Sequence, residues 1–395
     1  MILSQKNDPF WVLREYTKMS LENKEVYNDF PMIDRIKNII FPSYQALNKI
    51  ELDQKNLIHN YKYLSSINKK IKIAPVLKSN AYGHGLVLTA KILEKLNPPL
   101  ICVDSLYEAY ELSKNDIKIP ILIMGFVDPI SLKTKRLPYS FAVYSVEQVD
   151  ALAKEQPHAK IHIFVDTGMH REGVLLDELN TFIDHIKKTS LEIEGLMSHL
   201  AESENKNNPL TKMQINRFTS AVNTLKPKWI HISNSGGILN NYGLGNIGRC
   251  GIALYGISPI SHDKKLKPVL TFKTHISQIK KIKKEESVGY NFTFKSNKNM
   301  TLATLPVGYN DGVDRRLSNK GFVTVDNIKC KIIGRVSMNI TTIDVTDIKN
   351  VKVGDEVIIF SNKSSDKNSI EKAATICNTI PYELLTGLAA STRRV

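Results

Sequence analysis

Cysteine is scarce in this chain of 395 residues: Cys102, Cys250, Cys330 and Cys377 lie far apart, and no two form a C-x-x-C pair. That spacing writes neither a zinc site nor a disulfide framework, so no metal is expected and a reducing, cytoplasmic compartment fits best. No apolar run approaches the ~20 residues of a membrane span, and no basic segment leads into an apolar stretch of signal-peptide length. Neither a membrane partner nor secretion is expected. Basic residues exceed acidic ones, 54 against 39, for a formal charge of +15. The lysines are nevertheless scattered, and no basic run alternates with aromatics as a nucleic-acid surface would require. Lys280-Lys281 and Lys283-Lys284, the densest cluster, read as a solvated face. Residues 1–45 lack glycine altogether and spread Phe10, Trp11, Tyr16 and Phe30 among charges. They read as an N-terminal extension of unknown role, with short helices packing on the main body.

What the sequence does contain is alternation. Apolar strand-like runs at 71–77, 100–104, 119–125, 140–144, 160–166, 191–198, 229–233 and 246–256 are separated by segments with apolar residues at three- and four-residue spacing, such as 146–154, 177–188 and 210–224. Eight strand–helix units over about 200 residues predict an α/β fold, a closed (β/α)8 barrel over 46–275, with a doubly wound open sheet as the alternative. After about Ile276 the helical period fades and short strands with turn residues follow one another, which predicts a separate, mostly-β domain over 276–395 with one late helix at 365–378.

A barrel places functional side chains just after the C-terminal ends of its strands. Lys78 follows the first run, Asp166-Thr-Gly-Met-His-Arg171 the fifth, Ser198-His199 the sixth and Asn234-Ser235 the seventh, while Arg249 lies in the eighth. A lysine at the end of an apolar strand would be stripped of water. Desolvation favours the free amine that a Schiff base with a carbonyl cofactor needs. Small residues in Ser233-Asn-Ser-Gly-Gly237 and Arg249-Cys-Gly-Ile-Ala253 let a phosphate approach the backbone after strands seven and eight. Each feature alone has a plainer reading: a solvated lysine, a turn, a structural arginine.

Together they form a signature. Lys78-Ser-Asn-Ala-Tyr-Gly-His-Gly85, Asp166-Thr-Gly-Met-His-Arg-Glu-Gly173, Arg249-Cys-Gly-Ile-Ala-Leu-Tyr-Gly256, Ser287-Val-Gly-Tyr-Asn-Phe-Thr-Phe294, Pro306-Val-Gly-Tyr-Asn-Asp-Gly312 and Gly334-Arg-Val-Ser-Met-Asn339 resemble, in order, the motifs of alanine racemases. The resemblance covers the chain from near Ala46 onward. It implies that Lys78 carries pyridoxal 5'-phosphate (PLP), that Tyr82, Ser235, Gly251 and Ile252 hold its phosphate, and that Arg249 faces its pyridine nitrogen. A carboxylate there would keep the ring protonated; an arginine leaves it neutral, which favours reprotonation over side reactions. His199 would link Arg249 to the catalytic tyrosine. Arg171 would reach the cofactor's phenolic oxygen and the substrate carboxylate with its planar fork.

Racemisation needs bases on both faces of Cα. The resemblance assigns one face to Lys78, acting on D-alanine, and the other to Tyr290, acting on L-alanine. An unperturbed phenol titrates near 10, so Tyr290 needs the His199–Arg249 link to work near neutral pH. It also implies a homodimer in which the β domain of one copy completes the barrel site of the other, with the Met338 backbone N–H on the substrate carboxylate and Tyr309 and Arg335 lining a narrow entrance that favours a methyl side chain. The expected product, D-alanine, serves cell-wall peptidoglycan. This chain departs from the family pattern at Phe164, where several members carry a carbamylated lysine steadying the arginine, at Asn291 and Asn339, and in a tail with no tyrosine over 388–395. A racemase of serine or of a broader amino-acid range, a barrel-type PLP decarboxylase and a non-catalytic PLP carrier are the alternative readings.

Overall fold

The computed structural model describes residues 46–260 and 263–395. The extension expected over 1–45 lies outside the described residues. Strand β1 (Lys49–Leu52) is followed by eight parallel strands, β2 (Lys72–Pro75), β3 (Ile101–Val103), β4 (Ile121–Ile123), β5 (Ser140–Val143), β6 (Lys160–Phe164), β7 (Glu192–Met197), β8 (Trp229–His231) and β9 (Ile247–Cys250). Strands β3 to β8 pair in sequence order, and β2 pairs with β9. The ring closes at both seams. Leu77 N–H donates to Cys102 O at 2.8 Å beside a Val76–Cys102 bridge, and Arg249 N–H donates to Ser233 O at 2.9 Å. These are the eight strands that the apolar alternation predicts.

Period-two alternation sorts each strand's side chains between two interiors. Ile101, Val103, Ile121, Ile123, Phe141, Val143, Ile161 and Ile163 face outward and pack under the helices. Cys102, Leu122, Ala142, Phe164, Met197 and Ile247 form a separate cluster inside the ring. Helices cover the outside because their starts are capped: the Ser105 and Ser145 hydroxyls accept from Glu108 N and Gln148 N, satisfying amides that a helix leaves unpaired.

The second body is an antiparallel assembly. Its larger sheet runs in the order Ile328–Lys331, Phe322–Val325, Glu356–Phe360, β10 (Leu270–His275), β1, Arg393–Arg394, and a three-stranded sheet joins Gln278–Ile282, Met300–Leu305 and Thr341–Asp344. Thus β1 and β10, which the sequence reading assigns to the barrel, are strands of the β body. Their register sets Ile50 against Phe272, both fully buried in its core. Four residues of β1 carry too little pattern to reveal a partner more than 200 positions away. Two late helices close the body, Ile370–Cys377 and Pro381–Thr386, where the sequence suggests one.

Candidate active site

Above the C-terminal ends of the strands opens a cavity of about 540 Å³, lined among others by Lys78, Tyr82, Arg171, His199, Ser235, Arg249, Gly251 and Ile252. Five different strand ends, those of β2, β6, β7, β8 and β9, contribute these residues, and only the barrel brings them together.

Lys78 reaches the cavity through an unusual backbone. Ser79, Asn80, Ala81 and Tyr82 all have φ between 52° and 56°, one left-handed turn made without glycine. Such a conformation costs roughly 1–2 kcal/mol per residue, so it persists only where its surroundings fix it. They do. Glu108 accepts from the Asn80 and Asp104 amides at 3.3 and 2.9 Å, and the Asn80 side chain accepts from Leu86 N at 2.8 Å. The turn lifts the lysine beyond the strand, which ends at Pro75, and its side chain stays 40% exposed with Nζ 3.2 Å from Asp104. The expectation of a lysine stripped of water is therefore not met within one chain.

Arg249 is the residue the barrel buries most deliberately. It projects into the ring from β9 and is only 3% exposed, yet forms no ion pair among the described residues. A structural salt bridge is thereby set aside. Its Nη1 donates to His231 Nδ1 and His231 O at 2.7 and 3.0 Å, and its Nη2 donates to Ser198 O and His199 Nδ1 at 2.5 and 3.1 Å. Of the five guanidinium N–H donors, only the one on Nε has no protein partner among the described residues. Burial pushes Arg249 down to about 10. Burial, followed by the charges of Arg249, Arg171 and Lys78, pushes His199 down to about 3, so its imidazole is neutral and can accept from Arg249.

The small residues behave as close approach demands. A side chain on Gly251 would collide with the Tyr82 hydroxyl. Ser235 Oγ accepts from Gly251 N and Ala253 N at 3.2 and 3.3 Å, tying the loops after β8 and β9 together. Tyr82 is raised by burial, and its ring lies 6.0 Å from that of Tyr382, which burial holds at about 12. Tyr382 also lines the cavity. The tail over 388–395 has no tyrosine, and Tyr382, six residues earlier on the Pro381–Thr386 helix, is a cavity residue that no sequence motif marks. A bowl with an amine, two phenols, a serine hydroxyl, exposed loop backbone and one uncommitted arginine donor fits a planar, phosphorylated carbonyl cofactor.

Arg171 is presented by a loop that Asp166 shapes, its Oδ1 accepting from Gly168 N, Met169 N and His170 N at 2.8, 3.0 and 3.2 Å. Burial would raise the Asp166 carboxyl, but these amides outweigh it and hold it below its usual range. Phe164 turns its ring into the barrel and offers Arg171 no polar contact; the nearest charge is Glu172, with Oε2 3.5 Å from Arg171 Nε. Asp104 and Glu108 lie in no motif, and Glu172 stands inside one at a position to which the resemblance assigns no role.

Tyr290, Tyr309, Arg335 and Met338 do not line the cavity. They lie on the β body, where Tyr290 is 68% and Met338 56% exposed, with Phe292 and Ile340 exposed beside them. Tyr309 N–H donates to Ser337 O at 3.0 Å and Ser337 N–H to Ile340 O at 2.9 Å, which binds these segments into one edge. Within one chain no hydrogen bond joins Tyr290 to His199.

Two family models match the chain, the alanine racemase N-terminal domain over residues 52–259 and the alanine racemase C-terminal domain over 269–395. An alanine racemase of Fusobacterium nucleatum is 37% identical over 357 residues, 88% of this chain and 98% of that protein. Among solved structures, alanine racemase from Bacillus anthracis with bound L-Ala-P superposes with a TM-score of 0.82 at 29% identity, covering 89% of this chain and 95% of that one. Alanine racemase from Bartonella henselae with covalently bound pyridoxal phosphate gives 0.78 at 29% identity, covering 89% and 99%.

Proposed function

The chain belongs to the alanine racemase family and is an amino-acid racemase that interconverts the enantiomers of alanine, and we propose that it does so with Lys78 of one copy and Tyr290 of a second. The family depends on PLP and supplies D-alanine for the cell wall. We assign PLP to the barrel cavity, with Lys78 as the point of attachment, Tyr82, Ser235, Gly251 and Ile252 around the phosphate, and the Arg249 Nε–H toward the ring nitrogen. When bound, the cofactor draws electron density from Cα and so makes its proton removable.

The remaining work falls to the protein. Arg171 holds the substrate carboxylate with its fork, and the Met338 N–H of the second copy meets the same group. Lys78 Nζ takes the Cα proton of D-alanine on one face while Tyr290 Oη returns a proton to the other; for L-alanine the roles reverse. His199, neutral and already accepting from Arg249 at Nδ1, carries its proton on Nε2 and donates it to the Tyr290 phenol oxygen, which favours the phenolate. Tyr309 and Arg335 frame the entrance and restrict it to a small side chain.

The observation that carries this reading is the segregation of Lys78 from an available phenol: the two phenols in its cavity, Tyr82 and Tyr382, are both raised by burial, while the β body exposes Tyr290 amid Phe292, Tyr309, Met338 and Ile340. An apolar edge of that kind marks an interface. We place the dimer in the cytoplasm, consistent with four unpaired cysteines, all buried; among the described residues no helix is long and apolar enough to cross a membrane.

Complementation tests the arrangement. Lys78→Ala and Tyr290→Phe proteins, each inactive, are unfolded together and refolded as a mixture. If the bases act across two copies, every mixed dimer contains one intact pair and activity returns to about a quarter of the wild-type value; if they act within one chain, none returns. Incubation of the wild type with L-alanine in D2O, read by chiral analysis and Cα deuterium content, tests the reaction itself, and no exchange at Cα would exclude racemisation.

A further inference from the structure

We propose that His231, His162 and Glu194 form a buried positioning chain that fixes the rotation of Arg249 and so aims its one uncommitted donor into the cavity. The inference rests on reading Arg249 as the residue that faces the cofactor ring. From Arg249 Nη1 the chain runs to His231 Nδ1 at 2.7 Å, from His231 Nε2 to His162 Nδ1 at 2.8 Å, and from His162 Nε2 to Glu194 Oε2 at 3.4 Å. The carboxylate is held in turn by Ser140 Oγ at 2.8 Å, Lys160 Nζ at 3.4 Å and Lys228 Nζ at 3.5 Å.

The chain has only one workable polarity. A guanidinium donates and never accepts, so His231 Nδ1 must be the acceptor and its proton must sit on Nε2. That proton needs an acceptor at His162 Nδ1, which places the proton of His162 on Nε2. There the carboxylate receives it. Both imidazoles are fully buried, and neither has room for a second proton without facing a donor head-on. Remove the carboxylate and His162 loses its reason to keep this tautomer; the other tautomer sets an N–H against the His231 N–H and pushes the mismatch up to Arg249.

The backbone makes space for this device. The β6–β7 pairing slips between Ile161 and His162, and Gly195 lies at the slip, where a side chain would collide with the His162 ring. Glu194 also borders a second cavity, of about 620 Å³, lined with residues that lead into the strands. The orientation of Arg249 at one end of the barrel is thereby governed from the other.

The test compares Glu194→Met, which removes the acceptor, with Glu194→Gln, whose amide oxygen can still accept. In protein labelled with 15N-histidine and free of cofactor, wild type and Glu194→Gln should show His162 and His231 as neutral Nε2–H tautomers, and Glu194→Met should change both. With PLP added, Glu194→Met should lose about 10- to 100-fold in kcat, the usual scale for residues that orient an active-site group, with KM for alanine within about threefold. Glu194→Gln should recover most of the rate. Unchanged histidine resonances in Glu194→Met, or a kcat within twofold of wild type, would overturn the proposal. If Glu194→Met does not fold, the double variant Lys160→Met/Lys228→Met, altered only at largely exposed side chains, should shift the His162 resonance, and an unshifted resonance overturns it equally. A wild type that fails to racemise alanine would instead count against the functional reading.

Discussion

The two bodies of this chain bury their interiors by opposite rules. Among the described residues, the barrel encloses His84, Glu108, His162, Glu194, His231 and Arg249, most of them in one connected set of hydrogen bonds, whereas the β body buries no charged or imidazole side chain at all. Its core is Ile50, Phe272, Leu305, Val323, Val357, Phe360 and their like, close-packed around two cysteines. Its chemistry-bearing residues are instead on the outside, with Tyr290 and Met338 in solvent. The difference teaches a division of labour. A buried polar set is costly unless every member is satisfied, but it holds a group such as Arg249 in one orientation. An apolar core gives stability without orientation, which suffices for the role proposed for the β body, that of a scaffold presenting the Tyr290 phenol to a second copy.

The largest expected effects test whether each body contributes a base. Lys78→Ala in the barrel and Tyr290→Phe in the β body should each lower racemisation by about 10³-fold or more, within the range that positioned acid–base groups supply; equal losses from both would support a shared site, and retention in either would confine catalysis to one body. Next, Phe272→Ala should cost about 3–5 kcal/mol in denaturant unfolding, because a fully buried ring is replaced by a void. A much smaller cost would mean the β core is less tightly packed than its contacts imply.

Acid should separate the bodies further. Burial holds His84 at about 4 and His199 at about 3, and lowers His162 and His231 as well. These folded-state values lie below those of the unfolded chain, so the unfolded state takes up protons first as pH falls below about 6.5. Stability is fully present above that point and is lost on acidification, by up to ~1.4 kcal/mol per pH unit for each histidine. Glu194, held at about 2 by its bond to His162 against the opposing effect of burial, extends the loss below about 4.5. The β body has no buried histidine among its described residues, so unfolding curves at pH 7.5 and 5.5 should show the barrel's signals shifting and the β body's tryptophan-free core following only by coupling. The smallest effect should come from Ser105→Ala, which uncaps the helix that carries Glu108 and should cost about 1 kcal/mol by thermal melting.

Much of the barrel was legible because buried parallel strands must be apolar throughout, and the runs ending near Leu77, Asp104, Ser198 and Ser233 announce themselves. The cavity residues were legible for a different reason: Lys78, Tyr82, Arg171, His199, Ser235 and Arg249 sit in short motifs that keep their local neighbours. What escaped notice is whatever depends on several strands at once. His162, His231 and Glu194 lie on three strands and share no local pattern, so only the registers of β6 on β7 and of β7 on β8 reveal them. Where Phe164 leaves Arg171 without a polar neighbour from the strand, the acid beside it is Glu172, which stands in a motif at a position the motif leaves open. The pairing of β1 with β10 escaped for want of length, and Tyr382 because a half-exposed helix residue looks the same whether or not a cavity lies beside it.

The left-handed turn at Ser79–Tyr82 constrains how this enzyme can change. Mutational drift there runs along a narrow corridor: glycine, asparagine or aspartate can enter any of the four positions with little backbone penalty, while valine, isoleucine or threonine would unseat the lysine before touching any ligand. Resistance to a molecule lodged against that turn is therefore expected to arise at the rim or on the β body, where replacement is cheap in backbone terms, rather than at the segment the molecule grips.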